Sequence, residues 1–319
     1  MSYVCFLDVS CNISVMENHY HYNYFLPEKG KSVNRILDAI FHNMTRFFAI
    51  LVLIVLAILF VVLFNEAKPA IDAFGLQFVT NSKWAPNMDI FGGYPAIYGS
   101  IVSTIIAMLI ATPVAIGIAI FLSELAPPWI ATIVGMAIEL LAAVPSIIYG
   151  MWGLFYLAPI LRDIWGGNGL GLATAGFVLS IMILPFLAAV TRDAMKTTPP
   201  ILKESAYGMG ATRWEVLKDV VIPYVKSGII GSIILALGRA IGETMAVTFV
   251  MGNAHKIPDS IFKPATSIPV TLANEFTEAD TDLYYSSLFY LALILLVISF
   301  TVIAIAKFWF LRNLQEQRV

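Results

Sequence analysis

Two opposite charges, Arg239 and Glu243, lie four residues apart within Leu237-Gly-Arg-Ala-Ile-Gly-Glu-Thr-Met-Ala-Val-Thr-Phe249. The run around them is otherwise apolar enough to cross a bilayer. Residues four apart on a helix share one face, one turn on, so the spacing predicts a facing pair. A charge near the bilayer centre costs about 2.5–3.5 kcal/mol on insertion scales. Such groups usually pair and turn towards a protein interior or a water-filled path. Thr244 follows directly. Glu139, inside a second apolar run, is the third intramembrane charge, and Ser146 lies seven residues beyond it. Glu139 reads either as a structural charge or as one facing a vestibule. Ser100, Ser103, Thr104, Ser146 and Thr244 read either as path-lining hydroxyls or as interhelical glue.

The elements that must hold these residues follow from composition. The chain has 319 residues, 59% hydrophobic and 13% charged, and a mean hydropathy of +0.82. Soluble domains carry about 25% charged residues. So much apolar surface calls for lipid, and the length suits about six spans of ~20 residues. The fold class is therefore an all-α polytopic membrane protein with six transmembrane helices. Spans are expected near 47–64, 96–122, 131–157, 172–190, 227–251 and 288–311. Pro113, Pro145 and Pro185 are expected to kink their spans. Ser32–Phe41 has helical apolar spacing that suits a short helix lying on the membrane surface.

Charge sets the orientation. Of 19 Lys and Arg residues, thirteen fall in the N-terminal, second-to-third, fourth-to-fifth and C-terminal segments. Five fall in the other three loops, and Arg239 is the last. The positive-inside rule then puts both termini in the cytoplasm. The organisation reads as a disordered tail at 1–31, an amphipathic segment and first span at 32–65, and an exterior loop at 66–95. A permease body covers 96–311, with a cytoplasmic loop at 191–226, and a short tail covers 312–319. Glu275, Glu278, Asp280 and Asp282 are expected in a solvated exterior loop, with contact to a binding protein as the alternative.

Several classes are disfavoured. The net charge of −2 gives no reason to expect nucleic acid. Cys5 and Cys11 have no metal-ligand spacing, and His19-Tyr-His-Tyr-Asn-Tyr24 reads as a tail rather than a metal site. Residues 1–26 lack the pattern of a cleaved signal, and Met16 is a candidate start. Gly166-Gly-Asn-Gly-Leu-Gly171 lacks the lysine of a phosphate-cradling loop. No cofactor, metal or catalytic group is expected, so any ATPase must be another chain.

The loop at 191–226 carries Glu204-Ser-Ala-Tyr-Gly-Met-Gly210 and then Val220-Val-Ile-Pro223. It resembles the coupling loop of bacterial ATP-driven importer permeases: Glu-Ala-Ala, three residues, Gly, nine residues, Ile-x-Leu-Pro. Glu204, Ala206, Gly210 and Pro223 match in register, while Ser205, Val220 and Ile222 depart from it. In that family the loop forms two short helices that dock on the ATPase. Gly238 to Phe249, Gly252-Asn253, Glu139-Leu-Leu-Ala-Ala-Val-Pro-Ser-Ile-Ile-Tyr-Gly150 and Ile120-Phe-Leu-Ser-Glu-Leu-Ala-Pro127 resemble the phosphate-importer permeases. The Thr-Met-Ala-Val continuation favours the PstC branch over its PstA partner.

The resemblance implies a MetI-like ABC importer permease fold and alternating-access transport of inorganic phosphate across a bacterial inner (plasma) membrane. It also implies a PstA-like second permease, two PstB-like ATPases and a PstS-like binding protein outside. The residues add a mechanism. Arginine offers planar, bidentate donors to phosphate oxygens. Glu243 would hold the guanidinium until the anion arrives, unless the pair is a static lock. Rival readings are a permease for sulfate or molybdate, an ion-coupled secondary transporter with broken helices in matching halves, and a membrane-embedded enzyme.

Overall fold

The structure is a computed structural model that describes the backbone of residues 28–315 and the side-chain surroundings of 37–308. Of the disordered tail expected at 1–31, residues 1–27, with Cys5, Cys11, Met16 and His19–Tyr24, lie outside the described residues, while 28–31 are helical instead; the last four residues also lie outside. The described residues are helical, with one isolated bridge between Ala85 and Ile90. Six helical runs among them are long and apolar enough to cross a membrane.

The chain divides into two units, 1–59 and 60–319. Helix α1, Glu28–Phe74, begins in the first and ends in the second. The separate surface helix expected at 32–41 is instead the start of α1. Phe41-His-Asn-Met-Thr-Arg46 holds neither Gly nor Pro, and Thr45 Oγ1 donates back to the Phe41 carbonyl (2.8 Å), so nothing interrupts the helix. At its other end α1 runs past the expected boundary, through Pro69, and stops at Gly75, where φ is +50°.

In the second unit, after a single turn of helix at Gln77–Thr80, the main helices are α2 (Tyr94–Leu125), α3 (Pro128–Ala142), α4 (Ser146–Trp165), α5 (Leu172–Lys196) and α6 (Pro200–Gly208). They are followed by α7 (Arg213–Ile241), α8 (Met245–Val250), α9 (Ile268–Glu275) and α10 (Asp282–Gln315). Pro113 and Pro185 sit inside α2 and α5, which continue through them. Pro145 differs: the helix stops at Ala142 and restarts at Ser146. The single third span expected over 131–157 is therefore two helices, because proline withholds an N–H and its ring clashes with the preceding turn.

Helix α5 is the most buried of the six runs. Its neighbour α2 presents Ala107, Ala111, Ala115 and Ala119 at every fourth position, all fully buried. A Cβ at Gly176 of α5 would overlap Ile106 of α2. Between lipid-embedded helices there is no hydrophobic drive to associate, so small residues that let backbones approach closely supply the contact. Met182 and Ile183 of α5 join the same core with Val247, Val250 and Met251. Thr191 and Ser232 share a hydroxyl hydrogen bond of 2.8 Å that joins α5 to α7. The hydroxyls of Ser100, Ser103 and Thr104 turn back onto their own helix, so they act here as packing groups.

Candidate substrate pathway and coupling site

Arg239 occupies the last turn of α7, where a cation suits the negative end of the helix. The helix then stops at Ile241. Gly242, Glu243 and Thr244 form a break before α8. Arg239 and Glu243 are thus not one turn apart on a helix, and among the described residues no ion pair joins them. Glu243 Oε1 instead accepts from the Ala246 N–H (3.2 Å), and Thr244 Oγ1 donates to the Gly242 carbonyl (3.4 Å). Glycine is a poor helix former, and side chains that satisfy nearby backbone groups compete with the helix. The spacing of Gly238 and Gly242 was the available signal. Arg239 is left exposed.

The break between α3 and α4 lies close to this one. A Cβ at Gly150 would sit 2.9 Å from Ala246 Cα, and one at Gly153 would sit 3.0 Å from Val250. Contacts advance in the same direction along both helices, so α4 and α8 run parallel and their broken ends lie together. Ser146 begins α4 and Thr244 precedes α8, so the two hydroxyls, Glu243 and Arg239 are gathered at one end of this pair. Tyr149, unremarked in the sequence, spans the first break by donating to the Leu141 carbonyl (2.9 Å) and lies within electrostatic reach of Arg239.

Glu139 does not join this group. Its carboxylate accepts from Arg192 Nη2 at 2.6 Å, and Asp193 lies 3.2 Å from the same nitrogen. The Arg192 side chain is 8% exposed and that of Glu139 59%. Gly135 makes room for the guanidinium, since a Cβ there would overlap Nη1. Arg192 therefore ties α5 to α3. Arg192 falls within the loop expected at 191–226, yet Leu187, Ala188, Thr191, Arg192 and Met195 are all buried at helical spacing. That periodicity carries α5 to Lys196, six residues past the expected end.

The loop with the importer pattern is mostly helix. Ala206 of α6 is buried against Met195, Val216 and Val221, while Glu204 and Tyr207 are exposed. Gly210 turns the chain at φ +89°, a conformation that favours glycine. Thr212 and Glu215 then form a reciprocal capping box that starts α7. The second short helix implied by the resemblance is continuous with the fifth span. A π-helical turn at Val216–Val221 precedes Pro223, which lies exposed within the same run. Lys203 Nζ lies 2.6 Å from Glu124 Oε1 at the end of α2.

At the other end of α2 one member of the acidic run, Glu275, departs from the solvated loop expected of it. Glu275 receives hydrogen bonds from Trp84 Nε1 (2.7 Å) and the Tyr284 hydroxyl, and His255 Nε2 lies 2.6 Å from its other oxygen. Burial raises its pKa, but these donors outweigh burial and hold the carboxyl below the usual glutamate value. Trp84 stacks on His255 at 5.4 Å. Glu278, Asp280 and Asp282 are exposed.

The family model described as "Binding-protein-dependent transport system inner membrane component" matches residues 114–315, which hold both helix breaks and the coupling loop. Among curated relatives, the phosphate transport system permease protein PstC of Mesorhizobium japonicum is 52% identical, covering 87% of this chain and 91% of its own. The PstC of Pasteurella multocida is 46% identical, covering 89% and 95%, and that of Haemophilus influenzae is 43% identical, covering 85% and 92%. The chain belongs to the PstC family of phosphate ABC-transporter permeases.

The fold agrees with that membership. A solved bacterial alginate ABC transporter, in complex with an alginate pentasaccharide-bound periplasmic protein, includes a chain that superposes with a TM-score of 0.57. The match covers 87% of this chain and 94% of that one at 16% identity, and so speaks to the fold alone. Broken helices in matching halves are a mark of secondary transporters, yet two helix breaks lie within this PstC-family chain. Irregular backbone at membrane depth needs a cavity or protein partners, whatever drives transport.

Proposed function

We propose that this chain is the permease subunit that carries inorganic phosphate inward in a bacterial ATP-driven importer. It would lie in the inner membrane with both termini cytoplasmic. The observation that carries this reading is its match along nearly the whole chain to PstC permeases. The helix breaks give it a physical route. An anion crossing a low-dielectric region needs a fixed positive charge, and Arg239 is an exposed guanidinium with no counter-ion among the described residues. Its planar donors suit two phosphate oxygens at once.

Glu243 acts as the release group. If α7 and α8 joined into one helix, residues 239 and 243 would stand one turn apart and pair. In the broken form Glu243 turns to the Ala246 N–H. Making and healing the break at Gly242 would then present and withdraw the arginine, with Thr244 and Ser146 beside the path. Glu139, held by Arg192, fixes the helices around that path.

The partners belong to the same proposal: a PstA-like second permease, two PstB-like ATPases on the Glu204–Pro223 loop and a PstS-like binding protein outside. ATP hydrolysis sits on the ATPase chains, and this chain is a transport subunit. The test is phosphate uptake by proteoliposomes holding the four components. Uptake should require ATP and resist excess sulfate or molybdate. Equal uptake by vesicles lacking the ATPases, or full competition by sulfate, would refute the reading.

A further inference from the structure

Helix α6 divides its residues between two directions. Glu204 and Tyr207 are exposed, while Lys203 and Ala206, three apart and so on one face, turn to the chain's own body. The Lys203–Glu124 pair is 2.6 Å long, with side chains only 22% and 15% exposed. It joins α6 to the π-helical turn Phe121–Leu125 that ends α2. Water competes weakly for such a pair, so it holds its geometry better than a surface bridge.

What makes this contact more than a local staple is the far end of α2. There the Ser100 hydroxyl accepts from the Ile268 N–H at 2.8 Å. A Cβ at Gly99 would overlap the Thr266 carbonyl oxygen, so backbone lies on backbone. Between these two contacts, Ser100 and Glu124, α2 spans about 36 Å at 1.5 Å per residue, packed along its alanine stripe against α5. A rigid element fixed at both ends moves as one body.

We propose that Lys203 and Glu124 are positioning residues forming a second coupling route, from the ATPase-docking loop through α2 to the opposite-side segment Ala265–Ile268. It works beside the direct route through α7 to Arg239. The first route presents the arginine, and the second moves the far-side segment in step with it. This inference rests on the reading of Glu204–Pro223 as the ATPase-docking loop.

The test uses the full complex of both permeases, two ATPases and binding protein in proteoliposomes loaded with ATP. Phosphate imported and ATP hydrolysed are both measured per incorporated complex for wild type, Lys203→Glu, Glu124→Lys and the double exchange. Each single reversal should lower phosphate moved per ATP by about three- to tenfold, inside the span of roughly two- to thirtyfold for coupling mutations, while hydrolysis persists. The double exchange should restore the ratio. Single variants with the wild-type ratio, even at reduced incorporation, would show a mere staple and overturn the proposal, as would a double exchange no better than the singles. A wild-type complex without ATP-dependent phosphate uptake would instead overturn the underlying reading, and this one with it.

Discussion

Gly150→Ala adds one methyl group where α4 meets α8. The new carbon would lie 2.9 Å from both Cα and O of Ala246 and 3.0 Å from Phe249 Cδ2. Carbon atoms pack comfortably at about 3.5–4.0 Å, so the helices must part by roughly 0.5–1 Å. Ala246 meets the methyl with backbone, which cannot rotate away. Overpacking of this kind costs about 1–3 kcal/mol, and alanine returns up to about 1 kcal/mol in helix propensity. A net loss near 1 kcal/mol should lower Tm in detergent by about 1–2 °C. Transport should suffer more. The Ala246 N–H is what holds Glu243, so moving α8 moves the broken segment beside Arg239. Misplacing positioning groups by that much lowers enzyme rates by up to about 100-fold, and a fall of about tenfold in ATP-dependent phosphate uptake is expected here. Gly117→Ala is the control, since nothing lies within 4 Å of a Cβ there. If Gly150→Ala matches that control in both Tm and uptake, the parallel contact of α4 and α8 does not position the break, and the argument fails.

Three other perturbations separate the roles assigned above. Arg239→Lys keeps the charge but loses the bidentate fork; uptake should fall by about tenfold, the worth of one charge-assisted hydrogen bond, with Tm unchanged. Glu139→Gln leaves the buried Arg192 guanidinium with Asp193 alone and should destabilise by about 1–2 kcal/mol. Arg192→Met, which removes the charge itself, should lie nearer wild type; thermal melts of both in detergent decide the order. Glu275 has a lowered pKa, so its stabilising effect is complete above the unfolded value of about 4.3 and fades as pH falls through the lower folded value. Glu275→Gln should therefore be less stable than wild type at pH 6, and the gap should narrow in melts taken towards pH 3.5.

The sequence by itself determined what depends on composition and local pattern. Apolar runs of bilayer length count the spans, because in lipid a segment must satisfy its own backbone. Glu204, Ala206, Gly210 and Pro223 stand at fixed offsets, so their match to importer permeases needs no knowledge of the fold. Their local consequences also appear: a turn at Gly210 with positive φ, and a capping box just after it. The reach of α5 to Lys196 was not among these, because Thr191 and Arg192 read as polar loop residues until packing buries them.

Tertiary structure decided where the helices break and whom the charges meet. The spacing of Arg239 and Glu243 implies a pair only if the helix between them is continuous. That depends on whether neighbours can accommodate free backbone groups at Gly242, which is not a local property. Likewise Arg192 finds Glu139, and Lys203 finds Glu124, across 53 and 79 residues of chain. No periodicity spans such distances. Arg239 and Glu243 proved not to pair: Glu243 accepts from the Ala246 N–H while Arg239 is exposed, and the break between them lies beside the contact of Gly150 with Ala246.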